Sequence, residues 1–172
     1  LSRFQERFPG VRVFLKVGSS QEIADGLMEF KYDLGIIGRL PDLVKLKVIS
    51  YTREEFCLVI PPGHRFAEKK KISIGELKNE PIIIRESGSG SRHAILTLLD
   101  SHGLKPSVLV EAGSVEFIKE YIIKGRGISF LYKPEIELEA KLGLLMPLGI
   151  EEGPIFIQTD IVFPRGADLS PP

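Results

Sequence analysis

The sequence predicts an α/β fold of two lobes joined by paired crossover strands, and three features carry that reading. Apolar runs of strand length alternate with stretches of helical periodicity along most of the chain, the order that lays helices on a largely parallel sheet. Three strand-to-helix junctions carry glycine beside hydroxyl residues: Gly18-Ser19-Ser20, the run Ser87-Gly88-Ser89-Gly90-Ser91, and Gly113-Ser114. Two long apolar segments that end at proline, Phe56 to Ile60 and Pro154 to Pro164, flank a central βαβα block. The first lobe is expected over 1–59 plus 154–172, incomplete at both ends, and the second over 60–153.

The elements follow in order. LSRFQERFPG reads as the later part of an amphipathic helix, with Leu1, Phe4 and Phe8 on one side and Pro9-Gly10 as the stop. Val11 to Val17 alternates in the manner of a strand. Ser20 is the expected N-cap of a helix whose inner face is Ile23, Leu27 and Phe30, with Ala24 and Met28 beside it. Tyr32 to Ile37 is a short strand bounded by Gly38. Lys45 to Ile60 holds two apolar runs around the charged TREE, closing at Pro61-Pro62-Gly63. Ser73 to Lys78 suits one helical turn, and Pro81 to Arg85 is a buried strand. Ala94, Ile95, Leu98 and Leu99 mark a helix ending near Gly103. Val108 to Glu111 is a strand, and Ser114 caps a helix carrying Val115, Ile118, Tyr121 and Ile122. Gly125-Arg126-Gly127 turns into the strand Ile128 to Leu131. Pro134 opens a helix at its first turn, where the missing N–H costs nothing, and Leu144 to Leu148 is a strand. The period-two run from Pro154 to Pro164 is the expected partner of Phe56 to Ile60, and RGADLSPP is a loop.

Bulk properties narrow the function classes. Lys plus Arg and Asp plus Glu both number 23, so no net charge drives non-specific nucleic-acid binding. The apolar runs are too short for a bilayer-spanning helix, which needs about 20 residues, and no membrane partner is expected. No signal peptide is evident at the start of the chain. Cys57 is the single cysteine, so no intrachain disulfide can form, a cytoplasmic setting is favoured, and a structural zinc site is disfavoured. No cofactor and no metal are expected.

Catalytic motifs fall short. Gly90-Ser91-Arg92 lacks the lysine of a phosphate-binding P-loop, and His93 stands where a dinucleotide fingerprint needs its third glycine. A nucleophile elbow on Ser89 would need glycine at position 87. His93 is one helical turn from Ser89, but its expected place is the helix surface. The carboxylates of Glu54-Glu55, Glu135, Glu137, Glu139 and Glu151-Glu152 read as solvated charge. No catalytic residue is assigned. What remains at Arg85 to Arg92 is physical: a strand ends, glycines relax the turn, and a helix begins whose first N–H groups lack intrahelical partners and carry the positive end of the dipole. Ser87, Ser89 and Ser91 add hydroxyls, Gly88 and Gly90 allow close backbone approach, and Arg85 or Arg92 can add charge-assisted bonds. Such a turn suits a carboxylate, phosphate or sulfate. Gly18, Ser19 and Ser20 repeat the device in the first lobe, Gly38 closes the neighbouring strand, and Gly113 and Ser114 are a weaker third example. In parallel sheets ligands bind beyond the carboxyl ends of the strands, so Ser19, Ser20, Ser87 and Ser89 would converge on one small molecule.

These residues resemble a known family. RFQERFPGVRVFLKVGSSQEIADGLMEFKYDLGII is similar to the opening of the effector-binding domain of LysR-type transcriptional regulators, with its F-x-x-x-[FY]-P-x-[VI], a Gly-hydroxyl turn, a helix, and Asp-Leu-Gly-Ile. LVIPPGHRFAEKKKISIGELKNEPIII resembles the next block, a hinge strand followed by His-x-x-Ala, Ile-x-x-x-x-Leu, and Pro before a strand; IKGRGISFL resembles a later glycine turn and strand. The resemblance spans nearly the whole chain and rests on order and spacing. It implies a type-2 periplasmic-binding-protein fold with two Rossmann-like lobes, and a non-catalytic role in which a small anionic metabolite in the cleft alters a DNA-bound oligomer. It implies a homodimer or tetramer, with contacts expected near Gln21–Phe30 and Arg92–His102, and DNA reached only through a winged helix-turn-helix ahead of this region. The first strand of the first lobe would also precede Leu1. The family has glycine where this chain has Phe30. The rivals on the same fold are an extracytoplasmic solute-binding protein and, less so, an enzyme such as a dehydratase.

Overall fold

The computed structural model describes residues 1–166; the end of the RGADLSPP loop and of the first lobe's expected range lies outside the described residues. Five α-helices are described: α1 (Ser2–Arg7), α2 (Ser20–Met28), α3 (Gly90–Ser101), α4 (Val115–Ile123) and α5 (Glu137–Lys141). The strands are β1 (Gly35–Gly38), β2 (Leu46–Ile60), β3 (Lys71–Ile72), β4 (Pro81–Arg85), β5 (Ser107–Ala112), β6 (Ile128–Tyr132), β7 (Met146–Ile150) and β8 (Ile155–Pro164). One sheet runs β1-β8-β2-β6-β4-β5, with β7 on β2 and β3 on β7. β4 is parallel to β5 and β6, whereas β8 runs antiparallel to both of its neighbours, β1 and β2.

β2 is the spine. Its first part pairs with β8, from Leu46 opposite Pro164 to Phe56 opposite Ile155, with a bulge between Ser50 and Thr52. Its second part pairs with β6 and β7. Pro154–Pro164 is therefore a partner of β2, as expected, but of its first part: the register meets Phe56–Ile60 only at Phe56, because β6 and β7 occupy the rest. The two apolar runs of Lys45–Ile60 form one strand across TREE.

The apolar run FCLVI shows how period two fills two cores. Phe56, Leu58 and Ile60 enter a cluster with Ile82, Ile95, Leu99, Ile128 and Phe130. Cys57 and Val59 enter another with Ile83, Ile118, Ile122 and Leu131. α3 thus covers one face of this part of the sheet and α4 the other. Burying both faces explains why the strand is apolar at every position. In the first lobe Ile23, Ala24 and Leu27 of α2 pack on Ile37, Leu46 and Val162.

Three expectations are corrected. Val11 to Val17 forms no strand. Among the described residues no backbone hydrogen bond involves 12–17, and Phe14, Leu15 and Val17 are exposed; alternation supplies a pleated face, but a strand needs a neighbour. The N-cap of α2 is Ser19 rather than Ser20. Phe30 leaves the inner face of α2: the helix ends at Met28, and Phe30 adopts φ 56° with its side chain exposed.

Candidate functional site

Two helix starts meet where the lobes face each other. In the first, the Ser19 hydroxyl accepts from the Glu22 amide at 3.2 Å and caps α2. In the second, β4 ends at Arg85 and the chain turns through Glu86 to Ser89. The Glu86 amide donates to Ala112 O, and the Ser89 amide donates to Glu86 O, both at 3.2 Å. Gly88 takes φ 83°, a left-handed conformation natural to glycine. The Ser89 hydroxyl accepts from the Arg92 amide at 3.5 Å to cap α3, and lies 2.9 Å from the Ser91 hydroxyl, both serines being buried.

The two starts touch directly. Gln21 N–H donates to Gly88 O at 3.0 Å, and Gly90 N–H donates to the Ser20 hydroxyl at 3.4 Å. A Cβ on Gly90 would stand 2.7 Å from the carbonyl carbon and oxygen of Gly38, and one on Gly88 would stand 2.9 Å from the Ser19 hydroxyl. Glycine at 88 and 90 is thus needed by the approach of one lobe to the other. Beside this contact a small cavity lined by Phe56, Arg85, Ser91, Arg92, Ser129 and Phe130, between β2, β4, β6 and α3, measures about 10 Å³, room for about one water. Two positive helix ends brought together disfavour each other and favour an anion between them.

Charge beside this contact is paired. Arg85 forks onto Glu86, Nε to Oε2 at 2.8 Å and Nη2 to Oε1 at 3.0 Å. Arg92 donates from Nη1 to Arg85 O at 3.0 Å and from Nη2 to Glu111 at 2.7 Å. The hydrogen bond from Arg92 holds the Glu111 carboxyl below its usual range. Burial pushes the Glu135 carboxyl up, opposed by the Tyr132 amide and then by the charge of Arg85. Tyr132 is likewise raised by burial.

The remaining sequence candidates are dispersed around this centre. Gly18 lies under the Glu22 carboxylate, 2.5 Å from where a Cβ would sit. Ser87 is exposed in the turn. Ser114 caps α4, accepting from the Phe117 amide at 3.2 Å, and a Cβ on Gly113 would lie 3.8 Å from the Glu86 carboxyl carbon. His93 is exposed and makes no bond to Ser89, whose hydroxyl is committed to capping, so no nucleophile–base pair is assembled there. Among the described residues no group of His, Cys, Asp and Glu could hold a metal.

Sequence reasoning missed the carboxylates. Glu135 and Glu139 are not solvated surface charges: Glu135 is half-buried, and Glu139 pairs with Lys119 at 2.8 Å. Glu86 was visible beside Arg85, but only the turn shows that the two side chains meet. Asp160 is fully buried and takes both its oxygens to Arg39 at 2.8 Å, a pair no local pattern could reveal.

Comparison with known proteins agrees with this architecture. Residues 1–172 match the family model for the LysR substrate binding domain. The chain belongs to that family. It is 32% identical over 170 residues to the HTH-type transcriptional activator CmpR of Synechocystis sp., covering 99% of this chain and 56% of that protein. It is 31% identical to the HTH-type transcriptional regulator CbbR of Rhodospirillum rubrum over 99% of this chain and 56% of that one. The chain thus spans little more than half the length of these relatives. The regulatory domain of CcmR from Synechocystis PCC6803, solved in complex with 2-PG, superposes with a TM-score of 0.88 at 31% identity, over 98% of this chain and 81% of that one. The fold is the periplasmic-binding-protein-like fold of LysR effector-binding domains.

Proposed function

We propose that this LysR-family chain senses a small anionic metabolite held between its lobes, 1–59 plus 154–172 and 60–153. The observation that carries the reading is the meeting of the α2 and α3 N-termini, with Ser19, Ser20, Ser89 and Gly90 at the contact and Arg85 alongside. The relative in complex with 2-PG supports an anion as the class of effector. In the whole protein, effector binding shifts the balance between closed and open lobes and so the arrangement of a homodimer or tetramer on DNA. The ligand acts only through its differential affinity for the two states, typically about 1–3 kcal/mol. The role is regulatory rather than enzymatic, and the setting cytoplasmic, since the relatives are transcriptional regulators and Ser89 has no base.

Calorimetric titration of the full-length protein with 2-PG tests this. Saturable binding is expected, weakened about two- to ten-fold by Ser89→Ala, the worth of one neutral hydrogen bond, with the domain still folded but its melting temperature lowered by the lost α3 cap, about 0.5–2 kcal/mol. Equal affinity in the wild type and in both Ser89→Ala and Arg92→Ala would refute the assignment of the site.

A further inference from the structure

We propose that Glu86 is a built-in counter-anion, occupying the fork of Arg85 until the effector's own anionic group takes its place. It would set both the affinity of the site and its preference for highly charged ligands. The inference rests on the anion-sensing reading above and goes beyond it by naming the cation that is claimed and the group that is displaced.

Arg85 presents Nε and Nη2 as the pair of donors that fits a carboxylate or phosphate edge-on. Glu86 fills that edge with two bonds, at 2.8 and 3.0 Å. Its backbone is tied at both ends, to Ala112 O and from the Ser89 amide, so the carboxylate is presented at a fixed place rather than arriving by chance. The pair is still exchangeable: the two side chains are 22% and 29% exposed, so water screens the attraction and can solvate a released carboxylate. Arg92 is not an equivalent target. One of its nitrogens supports the Arg85 carbonyl, and another is held by Glu111. Arg85 is therefore the guanidinium an incoming anion can claim. An incoming anion must therefore compete with Glu86 for that fork. A phosphate-bearing ligand overcomes this competition better than a monocarboxylate, because its greater charge gains more from the same fork.

The test is calorimetric titration of the full-length wild type, Glu86→Gln, Glu86→Ala and Arg85→Gln with 2-PG, inorganic phosphate and acetate. Removing the counter-anion is expected to tighten 2-PG about three- to ten-fold, and to narrow the preference for phosphate over acetate, while Arg85→Gln weakens 2-PG more than about ten-fold. If the wild type binds 2-PG and Arg85→Gln loses it, but both Glu86 variants bind no more tightly, the counter-anion is disproved and the site reading stands. If the wild type binds 2-PG and Arg85→Gln binds it equally well, the counter-anion is disproved, and the site reading is then decided by Ser89→Ala and Arg92→Ala.

Discussion

The two halves of the sheet are built from the same kind of sequence and end in different states. Around β6, β4 and the end of β2, both faces are covered, and Leu58, Val59 and Ile60 have no exposed surface. Around β1, β8 and the start of β2, α2 covers one face, while Ile36, Ile49 and Tyr51 are more than half exposed. Apolar content alone does not decide burial. What decides it is whether a helix lies over each face of the strand, and in the second half α3 and α4 lie over opposite faces. The segment 11–17 extends the contrast: it alternates as well as any strand here, yet it has no pairing and no cover among the described residues.

The largest effects expected from that contrast are in the doubly covered half. Ile60→Ala should cost about 2–5 kcal/mol, because it removes a wholly buried side chain from a packed core. Leu15→Ala, at 78% exposure, should fall within about 0.5 kcal/mol of wild type. Urea unfolding of both would break the comparison if their costs were similar.

Next in size is the buried ion pair of the thinly covered half. Asp160→Asn leaves Arg39 without its twofold acceptor and puts an amide where two charge-assisted bonds converged. A loss of about 1–3 kcal/mol is expected, held down by the exposure of Arg39. The same unfolding measurement should also show the loss shrinking when Ser50, which accepts from Arg39 Nη2 at 3.1 Å, is first changed to Ala. Full additivity would mean the three groups do not act together.

The contact between the halves comes third. Gly90→Ala forces a methyl against the Gly38 backbone at 2.7 Å. Backbone cannot swing aside as a side chain can, so about 1–3 kcal/mol of closure is lost. Gly113→Ala meets nothing nearer than 3.8 Å and should be silent. Small-angle scattering would show the first variant more open than the second, and identical profiles would mean the lobes are not held by this contact.

These pairs also explain how much was legible in advance. Helices and strands of the covered half were readable because each depends on its own pattern: FCLVI, PIII and the Ser114 cap are local signals. The Gly-Ser turns were readable as helix starts for the same reason. The direct contact of Gly38 with Gly90, the register of β8, and the Arg39–Asp160 pair join residues far apart in sequence, and no local rule relates them. Glu86 failed differently. It stood in plain view, but the partner of an exposed-looking carboxylate is set by the turn that follows it.

Phe30 gives the smallest effect and the sharpest local test. The helix stops because Phe30 takes φ 56°, with its amide donating to Leu27 O at 3.1 Å and the Lys31 amide reaching Gly26 O at 2.8 Å. That left-handed position ordinarily belongs to glycine, since a Cβ there crowds the following carbonyl by about 1–2 kcal/mol. The ring recovers little of this by burial, being 73% exposed. Phe30→Gly relieves the strain but loosens the unfolded chain, which offsets part of the gain. The net expectation is a stabilisation of up to about 1 kcal/mol, read as a higher melting temperature at low protein concentration. A loss instead would mean that the exposed ring is covered in the assembled protein, and raising the protein concentration should then widen the gap in favour of Phe30.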